Sequence, residues 1–253
     1  LGDTARAEAC YRHALTVQPD YVSALTNLGT LLQMRGQIDD AVALLNKAVQ
    51  LMPDSPASLL NLGVALLEQH RFSEAAALLK RTLALDPQFP EAAYNLGNAL
   101  HALGKRREAQ AQYRSAIALD PHHADAYNNL GNVCRDLGEF ESALDAFDAA
   151  LRARPAFVAA CNNAGNLMRT LHRTADAETL FRAALSIDPD HSASHNNLGN
   201  VLKDSGALDE GIVHYRRAVQ SDPGNVVAHS NLAYALTFQS ESGDAAFEEC
   251  RRW

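Results

Sequence analysis

Apolar residues recur along this chain with the spacing of a helix rather than a strand. In the stretch 124–157, Tyr127, Leu130, Gly131 and Cys134 fall at i, i+3, i+4 and i+7, one face of an α-helix. Gly138 follows, able to take the left-handed backbone that ends a helix, as do Gly36, Gly104 and Gly206 elsewhere. A second stripe of Ala143, Phe147, Ala150 and Leu151 marks another helix. Pro155 stops it, having no N–H to donate and a ring that clashes with the preceding turn. The spacing predicts helices over about 124–137 and 139–152.

The same punctuation repeats. Pro19, Pro53, Pro87, Pro121, Pro155, Pro189 and Pro223 stand 34 residues apart, with no insertion or deletion. Gly29, Gly63, Gly97, Gly131, Gly165 and Gly199 keep that register, and Ala233 continues it. So do Asn27, Asn61, Asn95, Asn129, Asn163, Asn197 and Asn231. Three registered rows of different residue types predict a stack of identical two-helix units. Pro56 and Pro90 fall at the first turn of a helix, where a missing donor costs nothing. The glycine row and the alanine row (Ala41, Ala75, Ala109, Ala143, Ala177) are expected where paired helices approach closely. Anything larger than a methyl there would overpack the contact by roughly 1–3 kcal/mol.

Composition narrows the classes. The hydrophobic fraction is 47% and the formal net charge −8, which supports a packed core and disfavours a phosphate backbone as partner. No apolar run reaches the roughly 20 residues that span a bilayer, and no signal peptide is visible. The chain opens on Leu1 rather than Met, which points to a native N-terminus cut away. Cys10, Cys134, Cys161 and Cys250 form no C-x-x-C pair or zinc spacing. Cys134 and Cys161 sit on packing faces and read as buried small hydrophobes. Reduced thiols fit a cytoplasmic location.

These rows resemble the tetratricopeptide repeat, whose pattern appears as Asn95-Leu96-Gly97-Asn98, Ala109, Tyr113, Ala116 and Asp120-Pro121. The resemblance covers essentially the whole chain. It implies an all-α, right-handed superhelical solenoid, with the first helix of each unit lining a concave side. Residues 1–21 are expected to be the second half of a preceding repeat, 22–225 six complete repeats, and 226–253 a partial repeat with junction helices.

The polar face of each first helix carries the expected function. Opposite the apolar stripe of 124–137 lie Asp125, Asn128, Asn129, Asn132, Arg135 and Asp136, read as facing the groove. One row is Asn61, Asn95, Asn129, Asn163 and Asn197, with Asn27 and Asn231 at its ends. A second, one turn on, is Asn98, Asn132, Asn166 and Asn200; a third is His101, Arg135, Arg169 and Lys203. An asparagine amide both donates and accepts, matching the alternating N–H and C=O groups of an extended peptide. The expected partner is therefore a polypeptide in the groove, bound by its backbone. Bonds between neighbouring helices are the competing use of the first row, and a solvated face that of the cations.

Two further resemblances bear on the role. The carboxylate clamp of co-chaperones needs lysines one turn before the Asn row, but here stand Ser23, Ala57, Glu91, Asp125, Ala159, Ala193 and Val227. That reading is disfavoured. The stretch 229–236 (His229-Ser230-Asn231-Leu232-Ala233-Tyr234-Ala235-Leu236), with Phe247, Glu248 and Arg251-Arg252-Trp253, resembles the junction in bacterial O-linked N-acetylglucosamine transferases of the SPINDLY-like group. That resemblance implies a substrate-recognition arm whose catalytic domain is absent from this chain, with Glu91 and Asp125 as acidic positions beside the ladder. A free-standing adaptor or assembly scaffold is the alternative. No phosphate-binding glycine loop, nucleophile–base pair, cofactor site or metal site is expected, and His122-His123 reads as a solvated turn. Uncovered apolar surface at the terminal helices is a route to self-association.

Overall fold

The computed structural model describes residues 2–239 and 244–252. Trp253, counted above in the junction, lies outside the described residues. Every described element is an α-helix. In order they are α1 (Gly2–Val17), α2 (Val22–Met34), α3 (Ile38–Leu51), α4 (Pro56–Glu68), α5 (Phe72–Leu85), α6 (Pro90–Ala102), α7 (Arg106–Leu119) and α8 (Ala124–Asp136). They continue as α9 (Phe140–Ala153), α10 (Val158–Thr170), α11 (Thr174–Ile187), α12 (Ser192–Asp204), α13 (Leu208–Ser221), α14 (Val226–Gln239) and α15 (Asp244–Arg252). The fold is an all-α solenoid of helix-turn-helix repeats, and it divides into two compact units, residues 1–129 and 130–253.

The first helices α2, α4, α6, α8, α10 and α12 end in the same way. Gly36, Gly104, Gly138 and Gly206 have φ of 75°, 74°, 76° and 86°. The following N–H reaches back to close the turn, as in Glu139 N to Cys134 O at 2.8 Å. The two repeats without glycine here use histidine: His70 and His172 take φ of 58° and 59°. A left-handed backbone is costly for a residue with a Cβ, so the tertiary fold imposes the register on them. After α5, α7, α11 and α13 an Asp side chain shapes the turn, as where Asp120 Oδ1 accepts from His122 N at 3.0 Å and Asp222 Oδ1 from Gly224 N at 3.0 Å.

The glycine row behaves more strictly than the sequence suggests. A Cβ on Gly131 would stand 2.6 Å from the Phe147 ring, and one on Gly97, Gly165 or Gly199 equally close to Tyr113, Phe181 or Tyr215. Even a methyl is excluded, and the residue that excludes it is the aromatic of the second helix rather than the alanine row. Where that position is leucine the space is looser: 2.8 Å at Gly29 and 3.0 Å at Gly63. The alanines at 41, 75, 109, 143 and 177 are fully buried, as are Tyr113, Phe147, Phe181 and Tyr215. Cys134 and Cys161 are buried free thiols, and burial pushes the Cys161 thiol up, away from reactivity.

Candidate functional site

The first helices present their amides differently along the chain. In the unit 1–129, Asn27 is exposed and Asn61 half-buried, and neither side chain has a hydrogen-bond partner among the described residues. Both line a cavity of about 510 Å³ whose walls include Tyr11, Leu31 and Met34. Asn95 turns back on its own helix, Nδ2 donating to the Glu91 carbonyl at 2.8 Å. Asn129 Nδ2 donates to Asn98 Oδ1 at 2.9 Å, and Tyr113 Oη donates to the same oxygen at 2.9 Å. Burial raises the Tyr113 hydroxyl above its ordinary range and keeps it a donor. Asn98 thus serves as a brace between successive repeats.

In the unit 130–253, Asn197 Nδ2 donates to Asn162 Oδ1 and Asn231 Nδ2 to Asn196 Oδ1, both at 2.9 Å. Asn200 accepts from Tyr215 Oη at 2.9 Å. Asn132 and Asn166 hold the register of Asn98 and Asn200, but in their repeats the register of Tyr113 and Tyr215 holds Phe147 and Phe181, which have no hydroxyl to give. The Asn132 and Asn166 side chains are half-buried and have no hydrogen-bond partner among the described residues. Within the third row, Arg135 is bonded to Asp136 at 3.0 Å and Lys203 to Asp204 at 2.8 Å. Lys203 Nζ also lies 5.9 Å over the Tyr234 ring, and Arg169 is exposed. Asp125, Asn163 and His101 all have interaction partners in the fold.

Two sequence expectations change here. Asn128, placed with the groove stripe, is 7% exposed and donates from Nδ2 to Asn129 Oδ1 at 3.3 Å, while Asn162 and Asn196, at the same register, accept from Asn197 and Asn231 of the following repeat. The signal was the Asn-Asn pair at 128–129, 162–163 and 196–197, whose first member is buried or half-buried beside a polar second. His123 is no solvated turn residue. Its ring lies 4.6 Å from that of Tyr94, and its Nδ1 accepts from Ala126 N at 3.2 Å, capping α8.

Tetratricopeptide repeat models match residues 1–62, 32–93, 66–114, 102–156 and 163–226. The chain belongs to the tetratricopeptide repeat family. Among solved structures it is similar to the APC/C hetero-tetramer Cut9–Hcn1, with TM-score 0.80 and 17% identity over 93% of this chain. It spans 46% of that chain's length. It is also similar to MamA (TM-score 0.59, 28% identity, 64% of this chain and 95% of that one). A third is YrrB, described as a repeat protein with an unusual peptide-binding site (TM-score 0.58, 21% identity, 73% and 95%). No curated protein matches the sequence. No helix among the described residues is long and apolar enough to cross a membrane.

Proposed function

We propose that this repeat module binds polypeptide through the amides of its first helices, and that it is the substrate-recognition arm of an O-linked N-acetylglucosamine transferase-like enzyme. The observation that carries the first part is the split within the asparagine rows. Asn98, Asn129, Asn197 and Asn200 spend bonds on the fold, whereas Asn132 and Asn166, and separately Asn27 and Asn61, have side-chain amides with no intramolecular partner among the described residues. A half-buried amide without a partner is costly to leave unmade, and an extended peptide supplies both a donor and an acceptor. Arg135, Arg169, Lys203 and Asp125 flank the rows and would tune sequence preference. A peptide-binding role is also what YrrB is described by, although its identity to this chain supports the fold alone.

The test is peptide titration. Asn132→Ala with Asn166→Ala is expected to weaken binding of a mixed polypeptide probe at least tenfold with helicity unchanged. Unchanged affinity removes the ladder reading. The enzyme assignment is tested by the coding sequence after Trp253: a sugar-nucleotide transferase fold supports it, and a stop codon favours a free-standing adaptor.

A further inference from the structure

The repeat formed by α12 and α13 carries a pair of histidines in the joint between its helices. His195 stands where the preceding repeats have Leu25, Leu59, Ala93, Tyr127 and Cys161, and His229 holds the same register in α14 but meets Glu249 instead; His214 stands where the preceding repeats have Leu44, Leu78, Gln112, Ala146 and Leu180. The two rings meet with Nδ1 2.9 Å from Nδ1. His195 Nε2 lies 2.9 Å from the Pro189 carbonyl, which can only accept, so Nε2 carries a proton. Neutral His195 therefore accepts at Nδ1, and His214 donates from Nδ1. The remaining nitrogen of His214, Nε2, is left with a lone pair. It is where the pair takes up a further proton without breaking the contact between the rings.

Beside this pair is a cavity of about 480 Å³ lined by His195, Val213, His214, Arg216, Arg217 and Gln220. Val213, Arg216, Arg217 and Gln220 share one face of α13 by their i, i+3, i+4 and i+7 spacing. Arg217 holds Asp190 at 3.2 Å, but Arg216 has no ion pair among the described residues. A metal cation is the wrong guest, since both guanidiniums repel it and their charge is permanent.

We propose that this cavity is a binding site for a tetrahedral oxyanion of the phosphate class. Arg216 and Gln220 supply fixed donors, and protonated His214 supplies Nε2–H, so anion binding takes up a proton. Burial holds both imidazoles below their ordinary range in the empty site. Around His195, Asp190 opposes that shift, while Arg217 and His191 reinforce it. Around His214, Glu210 opposes it, while Arg182 and His195 reinforce it. An anion adds the opposing charge that is otherwise weak.

Calorimetric titration with inorganic sulfate, whose charge is constant from pH 6 to 8, tests the site. Sulfate should bind at pH 6 and weaken by about tenfold per pH unit above the titration of the pair. His214→Leu, the residue found at 180, and Arg216→Ala, on an exposed position, should each weaken binding about tenfold. Arg114→Ala, at the same register of another repeat, should have no effect. Parallel titrations with inorganic phosphate and a phosphoserine peptide distinguish a free anion from one carried on a polypeptide. No sulfate binding at pH 6, or binding that survives both variants, overturns the assignment.

Discussion

Single residues set how tightly the two helices of a repeat close. Gly131 and Phe147 are one such pair: the ring occupies the space a Cβ would need. Gly131→Ala gains about 1 kcal/mol of helix propensity but must displace a fully buried ring, so a net loss of about 1–2 kcal/mol is expected in chemical denaturation. Adding Phe147→Leu should recover most of it, because the leucine repeats at Gly29 and Gly63 have more room. A second residue-scale contrast separates bracing amides from open ones. Tyr113→Phe removes the hydroxyl bonded to Asn98 and should cost about 1 kcal/mol. The equivalent phenylalanines at 147 and 181 show that the helix pair itself closes without that bond.

At the scale of the element, α2, α4, α6, α8, α10 and α12 each end on a left-handed residue whatever the side chain. His70→Gly and His172→Gly relieve the penalty of a Cβ at positive φ and are expected to stabilise by about 1 kcal/mol each, seen as a raised Tm. The α12–α13 joint should add a pH dependence. Because burial depresses the folded-state pKa of His195 and His214, the unfolded chain binds more protons below about pH 6.5. Stability from this source is complete above that value and is lost as pH falls below it. His195→Leu combined with His214→Leu should flatten the fall, measured as urea midpoints between pH 5 and 7.5.

At the scale of the whole molecule, a repeat array joins each unit to its neighbours, so its ends carry surface that interior repeats cover. Tyr234, Phe238 and Phe247 are 57%, 64% and 61% exposed on α14 and α15. Replacing Tyr234 and Phe238 with serine should reduce concentration-dependent association in sedimentation velocity; unchanged sedimentation would remove self-association through this end. Tyr234 occupies the register held by Asn132, Asn166 and Asn200, and so changes the second amide row to an aromatic one at its C-terminal member.

The chain's own pattern determined the period, the helix pairs, their stops and the glycine row, because these depend on local geometry: helical spacing, proline's missing donor and the space available beside a Cα. His70 and His172 share the register of the helix-ending glycines, yet their residue type gave no sign of a turn, and it is the fold that sets their left-handed backbone. Only the tertiary structure decided which amides remain open. Asn98 and Asn132 read alike along the chain, and what separates them is whether the facing ring carries a hydroxyl, together with the hydrogen bond that a neighbouring repeat donates. Likewise His195 and His214 are 19 residues apart and unrelated by any motif, and packing of α12 on α13 makes them one titrating pair.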